Sequence, residues 1–574
     1  MMEMQQTARR EDARPEVGPT EIWQKYQAGV DHHRKKDLYR RDERCWHFYN
    51  GDQWYGMPQG KEALPSENII KPILKYKIAL VATTDTTVVF SSMQEDEQLQ
   101  QVCKELNRFA GMCWEHAGMD SVKWQIVKAA AITGDSYLYT WDDRPESEAV
   151  AQDRTPRVEV RMIERSAVYL GDEQEQDIQR QPWIIIAERR PVGELRKLAR
   201  ANGVEEERIE SIVSDDETDN LINQTTADEV DTGDGKCTSL VYFCLADDGE
   251  GSRVLEFGRS TRTCVYQPVR RVPGMDLYPV AQMRWEDMPG TARGVSECEQ
   301  LIPNQIEINK TLARRSLIVK RYGYPTAVYD VDKILNPKAL LKVGATIQAK
   351  NLTGVPVNQV VQYLEPRTTS GEGAALQQEL ITTTRELEGA SDSATGQIDV
   401  TKTSGEAIKA ARDQSALTVN DQAAGYKSFV EQLARIWYKL WCAYSTVGMA
   451  FAYRQEGGEE GIVQVAIPPQ LLAALDVQIK VDVSPADPYS ILSQQQSLDN
   501  ALAGGHITFD EWVEALDDNS PVPAAKFRQI VQRRQELAAQ QMQAQQAMAM
   551  MQQAMAAGGA APGAAAAGMQ AAMP

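Results

Sequence analysis

Apolar residues recurring every third or fourth position alternate along this chain with short β-branched and aromatic runs, and the two rhythms divide it into helices and strands. Met1 to about Pro19 has neither rhythm and reads as a flexible arm. Thr20–Arg44 is helical in period, with Thr20 in the capping position. It runs into CWHFYNGDQW, where a turn at Asn50-Gly51 sets Phe48 and Tyr49 against Trp54. NIIKPILKYKIALVATTDTTVVF predicts a short helix and then a strand. Helices follow over Asp96–Ala117 and Ser121–Ile132, the second closed by Gly134 ahead of the strand SYLYTW. RVEVRMI, AVYL and WIIIAERR read as strands, VGELRKLARANG as a helix, and SLVYFCLADDGEGSRVLEFG as a hairpin. The first half is therefore α+β, with its strands in one or two small sheets.

The second half is dominated by long helices. From Gly294 to Arg321 a helix of about 40 Å is expected, capped by Ser296 and kinked, or properly begun, at Pro303. Cys298, Leu301, Gln305, Ile308, Leu312, Ser316 and Val319 form its mostly apolar stripe. Three short strands (Pro325–Tyr329, Leu341–Gln348, Val360–Leu364) and a helix over Gly373–Leu387 come next. GASDSATGQIDVTKTSG then interrupts the helices with small and polar residues. Ser404–Tyr444 predicts a second long helix, about 60 Å, packed through Ala407, Ala411, Leu417, Phe429, Leu433, Ile436 and Leu440, with Gly425 as a bend. Strands at Val463–Ile467 and Val477–Val483 precede helices within PADPYSILSQQQSLDNALAGGHITFDEWVEAL, where His506 reads as a loop residue. After Glu536 the chain carries no charge. Its Gln- and Met-rich part favours helix, and the Gly/Ala run beyond about Ala557 favours disorder.

At 574 residues the chain is several domain lengths long, so an elongated, multi-part subunit is expected. No apolar run approaches the roughly 18–20 residues of a membrane span, and the N-terminus lacks a signal-like apolar core; a soluble, intracellular protein with no membrane partner is expected. The eight cysteines contain no CxxC pair and read as buried free thiols, with no zinc site. The net charge of −20 argues against a simple DNA-binding protein. Half of it lies in Val204–Lys236, where 12 acidic residues face 2 basic ones, a net of −10. That stretch reads as a solvated insertion; DETDN and DTGDG are rich in oxygen ligands but lack the EF-hand spacing. P-loop, GxSxG, HExxH and GxGxxG signatures are all missing, so no catalytic residue, metal ligand or cofactor is assigned and an enzyme is not expected.

Three stretches in this order, FYNGDQW, GVSECEQLIPNQIEIN and TSGEAIKAARDQS, resemble the portal proteins of tailed bacteriophages, and the likeness runs from about Trp46 to Ala515. It implies an α+β, mainly α, portal fold. Residues 1–19 would be the arm, 20–293 the wing with its acidic insertion at about 204–236, and 294–321 the first stem helix. The clip would be 322–370, the second stem helix 371–388, the tunnel loop 389–403, and the long helix with more wing 404–484. A crown at 485–536 and a tail at 537–574 would follow. The resemblance implies a subunit of a twelve-membered ring at the capsid vertex of the virion, assembled in the host cytoplasm. That ring would pass double-stranded DNA in packaging and ejection, with terminase, major capsid protein, scaffold and head-tail adaptor proteins as partners. Ser393, Thr395, Gly396, Gln397 and Lys402 would line the tunnel, and Lys310, Arg314, Arg315, Lys402 and Lys409 are the candidate contacts to the DNA backbone. Another structural virion protein, coat or scaffold, is the alternative, and a DNA-processing enzyme a more distant one.

Overall fold

The computed structural model describes residues 17–534 apart from 58–63, 84, 93–95, 143–154, 216–234, 248–250, 252, 324–325, 343, 355, 357–358, 365–370, 391–416, 446–447, 455–461, 475–476, 485–497, 505–506, 515–529 and 532. The chain divides into two compact units, Met1–Ala452 with Gln464–Val483, and Tyr453–Val463 with Ser484–Pro574.

In the first unit, the expected N-terminal helix is two. Helix α1 spans Pro19–Lys35 and α2 spans Leu38–Asn50, separated where Asp37 takes a left-handed conformation (φ 53°). Pro19 rather than Thr20 opens α1, because proline at the first helical position has no amide to leave unpaired. The Asn-Gly turn is present: Gly51 ends α2 at φ 106° and its amide returns to the carbonyl of His47. Helix α3 (Ile70–Ala82) and strand β1 (Asp85–Ser92) follow, then α4 (Glu97–His116), whose Asp96 cap accepts from the amide of Gln98, and α5 (Met119–Thr133).

Among the described residues the first-half strands after β1 fall into two sheets. Strand β2 (Asp135–Asp142) lies between β3 (Val158–Ile163) and β9 (Val280–Arg284), all antiparallel. A five-stranded antiparallel meander runs through β4 (Val168–Leu170), β5 (Ile184–Pro191), β6 (Lys236–Asp247), β7 (Arg253–Ser260) and β8 (Val265–Val272). Helix α1 covers it with Ile22, Tyr26 and Val30, packed on Tyr169, Ile185, Leu240 and Tyr242. Gly29 admits this approach, since a Cβ there would meet the Tyr169 ring at 2.8 Å. Helix α6 (Val192–Ala201) builds a second core with Cys237, Cys264 and Tyr266.

That second core corrects the reading of the acidic stretch. Its start is folded: α7 (Glu206–Glu210) brings Ile209 and Ile212 fully into the core beside Leu195 and Ala199. Asp215 pairs with Arg189 and accepts from the Thr238 amide at 2.8 Å. Two apolar residues three apart were enough to seat a segment whose composition is that of a loop.

Helix α8 spans Glu297–Gly323 and runs unbroken through Pro303. Ser296 caps it, accepting from the amide of Glu299 at 3.0 Å. Strands β10 (Thr326–Tyr329) and β11 (Val361–Leu364) pair antiparallel. The strand expected at Leu341–Gln348 is absent among the described residues. A 3-10 turn covers Pro337–Leu341, Gly344 takes φ 72°, and Asn336 clasps the loop, donating to the carbonyl of Thr346 and accepting from the amide of Gln348. Side-chain bonding to the backbone has replaced a ladder.

Helix α9 covers Glu372–Leu387, as expected. The long helix is described as α10, Asn420–Tyr444; Ala407 and Ala411 fall outside the described residues, and Thr418–Val419 is a turn. Phe429, Leu433, Ile436 and Leu440 are buried as predicted, but Leu417 is 65% exposed because it precedes that turn. Gly425 serves for close contact: a Cβ would come within 2.9 Å of the Arg284 carbonyl on β9. Strands β12 (Met449–Arg454) and β13 (Ile462–Ile467) pair, helix α11 covers Pro469–Ala474, and β14 (Val477–Ser484) pairs with β1. In the second unit, helix α12 (Phe509–Glu514) packs Trp512 and Val513 on Val531, Leu498 and Leu502. Of the expected N-terminal arm, Val17 packs against the α1 core and Pro19 belongs to α1, while residues 1–16, His506 and the uncharged tail lie outside the described residues.

Candidate functional site

Two of the three distinctive stretches converge on the root of α8; the third, TSGEAIKAARDQS, lies outside the described residues. Gln305, fully buried, accepts the amide of Ile69 at 2.9 Å and donates to the carbonyl of Glu67 at 2.6 Å. One turn on, Asn309 accepts the amide of Glu67 at 3.1 Å and donates to Gln53, which in turn donates to the carbonyl of Phe48. FYNGDQW and LIPNQIEIN are thus two sides of one buried amide latch. Gln377 of α9 joins it, donating to the Glu67 carboxylate and accepting from Arg315 at 2.6 Å. Inside the low-dielectric interior each of these bonds matters most through the penalty of losing it.

Beside the latch lies a buried charged core. Arg165 bridges Asp42 (2.6 Å) and Asp135 (3.0 Å), and Arg293 grips Glu173 with two bonds of 2.8 and 2.9 Å. Burial drives the His33 imidazole down to about 4, so it is neutral where it meets Arg293. Burial also pushes Asp42 up to about 6 against the pull of Arg165. The same core explains the glycine ahead of the α8 motif. The backbones of Gly134 and Gly294 touch, so a Cβ on either would fall within 2.4 Å of the other's carbonyl oxygen. Sequence reasoning missed these charges, because nothing in the spacing of Asp42, Asp135, Arg165, Glu173 and Arg293 marks them as partners.

Beyond its root, α8 emerges into solvent. Lys310 and Arg314 are exposed on one side, Arg314 at 3.6 Å from Glu307, whereas Arg315 is turned toward Gln377. Leu317 is 56% and Val319 70% exposed. On α9, Leu376 and Leu387 are exposed, and around β10 so are Val328, Val331, Leu335 and Ile347. The other sequence-predicted residues, Ser393, Thr395, Gly396, Gln397, Lys402 and Lys409, lie outside the described residues.

The model of the "Phage P22-like portal protein" family matches residues 290–573, from the approach to α8 onward. The chain belongs to the tailed-phage portal family. Portal proteins are head-to-tail connector components, assembled as a ring at a capsid vertex of the virion. The match takes in the α8 side of the latch, and the first-half residues Gln53, Glu67 and Ile69 are tied to this portal segment by direct hydrogen bonds. No curated protein matches the chain. All eight cysteines are free, six of them buried. Among the described residues no group of three His, Cys, Asp or Glu side chains could hold a metal ion, and no helix is long and apolar enough to cross a membrane.

Proposed function

We propose that this portal-family chain is the subunit of a closed ring, twelve-membered by resemblance, whose channel carries double-stranded DNA into the capsid and out again. The single observation that carries the reading is the distribution of apolar groups on the emergent half of α8. Leu317 and Val319 are two residues apart and so project to opposite sides of the helix. A subunit with one neighbour needs one apolar side; a ring member has a neighbour on each. Leu376 and Leu387 on α9 add to the same surface.

On this reading α8 and α9 are the stem, and the module around β10 and β11 is the clip, which meets terminase during packaging and adaptor proteins afterwards. Capsid protein and scaffold would surround the wing. Lys310 and Arg314 would face the DNA. Two exposed cations in a chain of net charge −20 give little phosphate affinity, which suits a duplex that must slide. Arg315 acts instead in holding the stem helices together through Gln377. The segment 389–403 would be the tunnel loop, with Ser393, Thr395, Gly396, Gln397 and Lys402 around the channel and Lys409 close behind.

Leu317→Glu combined with Val319→Glu tests the ring. The double variant should keep the thermal stability of the isolated subunit, since both side chains are already exposed, and should fail to form rings in size-exclusion chromatography with light scattering. Rings of unchanged size would refute the assignment of this surface.

A further inference from the structure

One buried cluster serves neither the latch nor the charged core. At the far end of α9, Glu388 follows the last helical residue and turns inward to Lys77 of α3, 2.6 Å from its ammonium. The same ammonium donates to Glu297, at the start of α8, at 2.5 Å. Glu297 also accepts from the indole of Trp285 at 2.7 Å. The side chains of Lys77 and Glu297 are each 7% exposed and that of Glu388 is 23% exposed. Two carboxylates therefore share one buried ammonium, with Glu388 at the partly exposed edge of the cluster. Fully ionised, the cluster carries a buried net charge of −1, which is costly at low dielectric. The charged groups facing Glu388 are Lys77 from α3 and Glu297 from α8; Trp285 is neutral. Glu297 has both the ammonium and the indole to hold it ionised, so the proton that relieves the excess charge resides on Glu388, hydrogen-bonded to Glu297. Leu387 is 77% exposed, so beyond Thr384, which is buried and accepts from Asn304 of α8, the end of this turn is held by Glu388 and the small Ala390.

We propose that Lys77, Glu297 and Glu388 form a proton-sensitive clamp, which fastens the C-terminal turn of α9 to α3 and α8 while Glu388 is protonated and loosens it when the proton leaves. Burial first, and then the hydrogen bond and charge of Glu297, push the Glu388 carboxyl up to about 7, against the pull of Lys77. Burial opposes ionisation of Glu297 as well, but its bonds to Glu388, Lys77 and Trp285 hold it below the usual carboxylate range. A carboxyl raised in the closed state stabilises that state fully at low pH, and the stabilisation is lost as pH rises through the raised value. The window is thus from the ordinary glutamate range to about 7. Between pH 6 and pH 8 the linkage amounts to a roughly tenfold change in the opening equilibrium.

Hydrogen–deuterium exchange on the full-length protein tests the clamp, read in peptides covering 380–390 and corrected for intrinsic exchange. Protection of the α9 end should fall about tenfold from pH 6 to pH 8, while peptides of β5 and β6 change little. In Glu388→Gln, which stays neutral, the end should remain protected at pH 8 and the pH dependence should vanish. Flat protection in the wild-type protein across this range overturns the proposal, even if the variant does not fold. A pH slope in Glu388→Gln equal to the wild-type slope also overturns it.

Discussion

Gln305 would pass in a sequence for a polar interruption of an apolar stripe, and it is among the most tightly bound side chains in the molecule. Its period put it on the buried face of α8, and that was legible; its partners, 236 and 238 residues away at Ile69 and Glu67, were not. Replacing it tests whether the motif is structural. Gln305→Leu keeps the volume but orphans the Ile69 amide and the Glu67 carbonyl, at about 1–3 kcal/mol for each group left unpaired. Urea unfolding of the isolated subunit should show a loss of at least about 2 kcal/mol; a change below about half a kcal/mol would mean that water replaces the amide without cost. The charged core was hidden for the same reason. Arg165 and Asp42 are distant in sequence, and a lone charge on a short strand or turn gives no sign of the partner that pays for its burial.

Whole elements were the most legible level. Most helices and strands appear within a few residues of where periodicity puts them, because long apolar stripes and alternating runs leave few other ways to bury their surface. The misses have local causes: a left-handed Asp37 splitting one helix, an asparagine clasp in place of a strand after Pro337, and two isoleucines pulling acidic residues into a core. That last correction sharpens the expected effect of deletion. The Asp215 amide bonds the Lys236 carbonyl at 3.1 Å, so the chain on either side of 216–234 is already joined. Replacing 216–234 with a short Gly-Ser linker should leave solubility and ring formation intact, while extending the cut to Asp215 should destabilise the α6 core by removing the partner of Arg189. Aggregation of the shorter deletion would show that the segment packs elsewhere. The segment between α9 and α10, proposed above as the tunnel loop, calls for a chemical probe. In a background without reactive thiols, cysteines at Thr395 and Gln397 should crosslink to packaged DNA through a thiol-to-phosphate reagent. Crosslinks arising from Asp216 and Glu217 instead would put the channel in the other half of the chain.

At the scale of the molecule, the well-filled cores of the first unit contrast with the emergent parts of α8 and α9, which leave Leu317, Val319, Leu376 and Leu387 in water. Two of the stretches that made the family legible, FYNGDQW and LIPNQIEIN, are those that join the root of α8 to the first half. The channel-facing groups were not legible, since exposed lysines and arginines have the same spacing whether they meet DNA or solvent. Surface of this kind is stable when neighbours cover it, so the assembled ring should be the form that persists in solution. Electron microscopy of the purified chain tests this most directly: the account predicts closed rings with a central hole at micromolar concentration, and a monodisperse, thermally stable monomer of 64.0 kDa would contradict it.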